Sequence, residues 1–183
     1  MDVLTAIASR ASAIKLAAPG PTREQLDVIL KAGVQAPDHG RLSPWRFVVL
    51  EGDKRKILGD AMSALRRRIS PDATEQEVEK EGLKVMRAPT VIAVAAHTAP
   101  PGKIPEIERI VAVGAAFQNM ILAAHALGLG TMWKTGLAAY DPEVKKAIGF
   151  GPDDHVVGYL YLGAPETPGV PRESKLDGYV TQL

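Results

Sequence analysis

Four histidines, scattered arginines and hydroxyls, and no cysteine are the groups on which chemistry in this chain could rest. The stretch "APDHGRLSPWRF" sets Asp38 beside His39 between Pro37 and Pro44. A neighbouring carboxylate can orient and charge an imidazole, as in an acid–base dyad. Adjacent side chains usually point different ways, however, and no nucleophile lies nearby in sequence; a loop histidine capping a backbone group is the plainer reading. His97, His125 and His155 fall in separate segments without the tight helical spacing of a zinc hydrolase, so no metal site is expected. The lack of cysteine excludes disulfides, thiolate zinc sites and a cysteine nucleophile, and fits a reducing compartment.

Four separated pieces look suited to one anionic, planar ligand. "SRASAIK" closes the first helix with Arg10 and Ser12; "QAPDHGRLSPW" is a loop; "WKTG" sets Lys134 and Thr135 beside Trp133; "VPRESK" supplies Arg172 and Lys175. An arginine fork donates two parallel hydrogen bonds to a phosphate, and a serine hydroxyl adds another from a different direction. Other common sites are missing. "GLGTMW" begins like a dinucleotide fingerprint but has Trp133 at the third glycine and follows a helix instead of a strand. No Walker loop or Gly-x-Ser-x-Gly elbow occurs.

These pieces need elements to hold them. "MDVLTAIASRASAIK" opens as a short amphipathic helix. Thr22 reads as an N-cap with Gln25 at the capping-box position, and Leu26, Ile29, Leu30 and Val34 follow at helical spacing. That helix must end near Ala36, because Pro37 pushes its predecessor toward extended geometry. "WRFVVLEG" reads as a strand, and Ile57, Leu58, Ala61, Met62, Leu65 and Ile69 form the apolar face of a helix. Its Arg66–Arg68 run reads as a solvated face. A charged helix over Glu75–Met86, a buried strand "TVIAVAAH", a long helix from about Pro105 to Gly128, a short strand in "GTMWKTG", a short helix over Pro142–Ile148 and a strand "HVVGYLYLGAP" complete the pattern. From Glu166 the chain is extended and rich in Pro and Gly, with Leu176, Tyr179 and Val180 left to dock elsewhere.

The 183 residues suit one domain, and 22 basic against 21 acidic residues create no global field to attract nucleic acid or an anionic membrane. The N-terminus lacks the basic start and long apolar centre of a signal peptide, which predicts a cytoplasmic protein. Ile110–Leu129 carries no formal charge over a membrane-spanning length. Gln118 and Asn119 at its centre suit a protein interior better than lipid, so a buried central helix is expected, not a membrane span.

Together and in this order, the four pieces resemble the nitroreductase family of FMN-dependent oxidoreductases, in particular a compact subgroup of NAD(P)H nitroreductases. The resemblance covers essentially the whole chain. It rests on "SRASAIKLAAPGPT", "AGVQAPDHGRLSPWRFVVLEG", "GLGTMWKTG" and "VGYLYLGAPE", the second being the most specific. It implies a nitroreductase-like α+β fold over residues 1–183: three layers, α/β/α, around a mostly antiparallel sheet. It also implies a homodimer that exchanges its C-terminal tails and holds two FMN sites at the interface, each built from both subunits. Arg10 and Ser12 then hold the phosphate and ribityl end, with Ala11 contributing backbone. Trp133, Lys134 and Thr135 line the same subunit's side, and Gln35 and His39 reach across from the partner.

The chain departs from the subgroup at Ala11, Gln35, Ile14 and Lys134, where a second Arg, a basic residue, another basic residue and an Arg are common. The base near Ile14 matters most, because the wider family places a positive charge by the flavin N1 and O2 edge; Lys134 and Lys15 are the candidates to replace it. The activity implied is transfer of reducing equivalents from NADH or NADPH through FMN to a small acceptor, a nitroaromatic compound or a quinone. The cofactor supplies the bond chemistry, so no side-chain acid, base or nucleophile is nominated. Two alternatives stand beside it: a flavin-binding sensor or carrier with little turnover, and an interaction module using the basic helix at Lys54–Arg68.

Overall fold

A computed structural model describes residues 1–100 and 102–183. Its second helix begins where its cap chemistry dictates. Thr22 Oγ1 accepts from the Gln25 amide at 3.2 Å and the Gln25 side chain accepts from the Thr22 amide at 2.9 Å, opening Arg23–Val34 (α2), which follows α1 (Val3–Ser9) and β1 (Lys15–Ala17). The chain continues through β2 (Trp45–Glu51), α3 (Arg55–Ile69), α4 (Glu75–Gly82), β3 (Thr90–His97), α5 (Glu106–Ala126), β4 (Gly130–Lys134), α6 (Pro142–Ala147) and β5 (Asp154–Thr167).

Every strand pairing is antiparallel. The sheet runs β1-β5-β3-β2, and β4 also pairs with β5. In β3, Val91, Ala93 and Ala95 point to one face while Ile92, Val94 and Ala96 point to the other, all fully buried. A strand covered on both faces has no use for polar alternation, which explains its unbroken apolar sequence. One face packs against Leu58, Met62 and Leu65 of α3 and Val144 of α6; the other packs against Ile29 of α2 and Val113, Phe117 and Met120 of α5. This is the three-layer α+β arrangement expected.

Helix α5 is long and apolar enough to cross a membrane by length and composition. It is instead the centre of the second layer, and the Asn119 side chain donates to the Ala32 carbonyl of α2 at 3.2 Å. Close approach there depends on Gly33, where a Cβ would stand 2.9 Å from Met120 Cγ.

Several details depart from the expectation: α1 ends at Ser9, leaving Arg10, Ala11 and Ser12 outside the helix, and β5 continues to Thr167. The charged helix stops at Gly82 and continues as a 3-10 turn over Leu83–Arg87. Gly82 and Gly59 bring α4 and α3 into backbone contact, with a Cβ on Gly59 only 2.7 Å from the Gly82 carbonyl oxygen. Strand β1 is not foreshadowed, because three residues are too few to show a period. The arginines of α3 are paired: Arg66 with Glu77 at 3.7 Å, Arg67 with Glu75 at 2.5 Å, and Arg68 with Asp141.

Candidate functional site

A cavity of about 450 Å³ opens between α3, the Leu83–Arg87 turn and the sheet, within the range of small-molecule sites. Alternation along β4 decides which of its residues reach it. Met132 and Lys134 line the cavity, followed by Thr135 and Gly136, while Trp133 points to the opposite face. There the indole stacks on Phe117, ring centroids 3.8 Å apart and planes 10° from parallel, and donates to the Val157 carbonyl at 3.2 Å. Gly158 leaves room for it: a Cβ there would collide with the indole nitrogen.

The walls are apolar, from Ile14, Leu16, Met62, Leu65 and Leu137, and four cations look in: Arg66, Lys84, Arg87 and Lys134. Glu81 is the one acid in the lining and pairs with Lys84 at 2.6 Å. Among the described residues Lys134 and Arg87 make no salt bridge. Tyr159 and Tyr161 form part of the sheet-side wall; burial pushes the Tyr161 phenol up to about 12 and raises that of Tyr159 further. Both are neutral hydroxyls in ordinary conditions, and Tyr159 donates to the Ala138 carbonyl at 3.1 Å. Apolar walls with a net positive lining suit a planar, largely apolar ligand that carries or acquires negative charge.

Arg66, Lys84 and Arg87 escaped the sequence reading. Arg66 did carry a signal, since it follows Met62 by four residues and precedes Ile69 by three, a base on the apolar stripe of α3. Lys15, one candidate to replace the base near Ile14, is held by Glu166 at 2.9 Å, whereas Ile14 and Lys134 share the cavity lining.

Arg10 is the extended C-cap of α1 and leads into Ala11 and Ser12. The Ala13 amide then donates to the Thr131 carbonyl at 2.9 Å, joining this segment to β4 beside the cavity. Gly169 crosses so close to the Ser12 carbonyl that no side chain would fit, so the start of the C-terminal tail lies over the Arg10–Ser12 segment. Beyond it Val170, Leu176, Tyr179 and Val180 are exposed.

Gln35 and His39 lie elsewhere. Gln35 is the exposed C-cap of α2. Asp38 accepts from the Ser43 amide at 2.8 Å, closing the loop instead of serving His39, and His39 Nδ1 lies 2.6 Å from Glu108 Oε2 at the start of α5. Ser9, next to Arg10, meets His125 at the far end of the same helix, Oγ to Nε2 2.9 Å. Glu108 and His125 are 17 positions apart, which at 1.5 Å per residue separates the two groups by roughly 25 Å. Of the expected site residues, Lys134 and Thr135 line the cavity, Arg10, Ala11 and Ser12 lie outside its lining and join it through Ala13, and His39 stands elsewhere.

The remaining histidines have their own partners: His97 Nδ1 with Asp154 at 2.7 Å and His155 Nε2 with Glu106 at 2.9 Å. Among the described residues no group of three or more His, Cys, Asp or Glu could hold a metal ion.

Comparison with known proteins places the chain in a family. The model of the nitroreductase family matches residues 7–164. A protein of Escherichia coli (strain K12) that carries the name NAD(P)H nitroreductase YdjA is 37% identical over 166 residues, 91% of this chain and 90% of the relative. A Haemophilus influenzae protein carrying the name NAD(P)H nitroreductase is 34% identical over 164 residues, 89% of this chain and 88% of its own. Among solved structures, a nitroreductase-like family protein from Bacillus cereus superposes with a TM-score of 0.83 at 26% identity, covering 100% of this chain and 96% of that one. A Desulfovibrio desulfuricans protein described as a nitroreductase, solved in complex with FMN, gives 0.78 at 26% identity, covering 99% and 96%. With the family model spanning both the Arg10–Ser12 segment and the β4 cavity, the chain belongs to the nitroreductase family.

Proposed function

We propose that this chain is an FMN-dependent oxidoreductase that takes reducing equivalents from NADH or NADPH and delivers them to a small acceptor, a nitroaromatic compound or a quinone. The observation that carries this reading is the cavity, apolar along its walls and cationic in its lining, continuous through Ala13 with the Arg10–Ser12 segment. Arg10 and Ser12 hold the phosphate and ribityl end, with Ala11 contributing its backbone. Lys134 and Thr135 line the ring's side, and Trp133 contributes through its peptide. When bound, FMN supplies the hydride chemistry; the chain binds, orients and shields it. Lys134, facing the cavity beside Ile14, supplies the positive charge that reduction of the ring calls for.

Phosphate contacts alone hold such a ligand poorly. Two or three charge-assisted hydrogen bonds at about 1.5–3 kcal/mol each roughly offset the ~4–15 kcal/mol cost of immobilisation. Burial of the ring must provide the rest, and the second wall comes from another copy of the chain. His39, whose partner Glu108 stands roughly 25 Å along α5 from the partner of Ser9, and Gln35 complete the site from the partner of a homodimer. Val3, Leu4 and Ile7 of α1, with Ile107 and Val111 of α5, are exposed apolar side chains that such an interface would cover. A nicotinamide-dependent reductase without cysteines suits the cytoplasm.

The test is the visible spectrum of the purified protein with added FMN, followed by rapid mixing with NADH and with NADPH. Prompt bleaching of the flavin band supports the enzyme. Failure to retain FMN overturns the reading, and retention without bleaching over minutes replaces the enzyme with a flavin carrier.

A further inference from the structure

His39 is held by a residue 69 positions away. An ionised carboxylate can only accept, so the 2.6 Å contact with Glu108 Oε2 assigns the proton to His39 Nδ1. The side chain is 66% exposed, and Nε2 has no hydrogen bond among the described residues. The loop around it is fixed from several sides. Asp38 is occupied by the Ser43 amide, and Gly40, Arg41 and Ser43 all take left-handed backbone conformations. Ile104 sits where a Cβ on Gly40 would be. The buried Arg109 guanidinium donates to the Thr98 carbonyl and, at 3.0 Å, to that of Pro100. Of the charged groups around His39, Asp38 and Arg109 are committed elsewhere, and Glu108 is the one that binds the ring.

We infer that Glu108 is the positioning residue for His39: it fixes the Nδ1 proton and the ring orientation so that Nε2 is presented outward to the flavin held by a partner subunit. The inference rests on the reading that His39 crosses to a second copy. The structure also supplies an internal control. Glu106 lies in the same first turn of α5, so it feels the same helix-terminus field, but it pairs with His155.

The experiment measures FMN dissociation constants by flavin fluorescence, and the visible circular dichroism of the bound flavin, for wild type, His39→Ala, Glu108→Ala, which leaves Nδ1 without its acceptor, the double variant and Glu106→Ala. Loss of one hydrogen bond to a charged or oriented group corresponds to about a tenfold weakening. The expected result is that His39→Ala and Glu108→Ala each weaken binding by about that factor and change the dichroism. The double variant binds no more weakly than His39→Ala, and Glu106→Ala matches wild type. Wild-type affinity and dichroism in Glu108→Ala beside a weakened His39→Ala overturns the positioning role. So does an effect of Glu108→Ala that persists undiminished in the His39→Ala background, or equal weakening by Glu106→Ala. Wild-type binding by His39→Ala removes the crossing of His39 itself, and the positioning role with it.

Discussion

Trp133 lies stacked on Phe117 with ring centroids 3.8 Å apart, across the sheet from Lys134, its neighbour in sequence. One turn of the β pleat therefore separates an aromatic that anchors α5 to β4 from a cation that faces the cavity. Trp133→Ala should lower unfolding free energy by about 2 kcal/mol, less than truncation of a fully buried aromatic because Trp133 is 38% exposed, measured by urea denaturation. Trp133→Phe, which keeps the stack and loses only the bond to Val157, should cost less than half of that. Equal losses from the two variants would remove stacking as the main contribution.

Lys134→Gln should lower the reduction potential of bound FMN, because removing a positive charge beside the ring disfavours the more negative, reduced form. A loss of about 1.4 kcal/mol of that stabilisation is about 30 mV for a two-electron couple. Lys15→Gln should leave the potential unchanged, since Lys15 is engaged by Glu166. Equilibration with a reference dye checks both; the reverse pattern would transfer the role to Lys15.

Much of this architecture is legible in the sequence for local reasons. The Thr22–Gln25 capping box, the stop enforced by Pro37 and the apolar run of β3 depend on neighbours a few residues away, and each stands where its pattern places it. What escapes is set by distant partners. Nothing near His39 announces Glu108, and Asp38, the obvious local candidate, is claimed by the Ser43 amide. The cavity cations come from α3 and the Leu83–Arg87 turn, which only tertiary packing brings opposite β4. Trp133 is the intermediate case: the alternation of "GTMWK" already implies that it and Lys134 face opposite ways, but not which side holds the cavity.

A site assembled from two chains makes a prediction that a single-chain site does not. Arg10→Ala and His39→Ala homodimers should each bind FMN about ten- to a hundredfold more weakly than wild type, following the value of charge-assisted bonds. In a heterodimer of the two variants, one site pairs the intact Arg10 of one chain with the intact His39 of the other, and the second site lacks both. Differently tagged chains, purified as the mixed species and titrated with FMN, should therefore show one tight site per dimer. Two equally weak sites would mean that no flavin takes Arg10 from one chain and His39 from the other.

Asp141 makes the stability of the fold depend on pH. Burial acts to raise its carboxyl pKa, but the Arg68 guanidinium and the Val144 and Glu143 amides outweigh burial and hold it below the ordinary value of 3.8. These bonds cap α6, whose Val144 packs with Ala138 and Ala139, next to cavity residue Leu137. A carboxyl depressed in the folded state binds its proton more readily when unfolded, so its stabilisation is complete above the unfolded pKa and disappears as pH falls through the folded one. Asp141→Ala loses cap and charge together and should cost about 1–2 kcal/mol at pH 7. Asp141→Asn retains a capping oxygen and should cost less. The advantage of wild type over Asp141→Asn should be constant from pH 7 to about 5 and shrink below about pH 4. Urea melts at fixed protein concentration across that range provide the measurement, and an advantage unchanged down to pH 2.5 would show that the Asp141 charge contributes nothing.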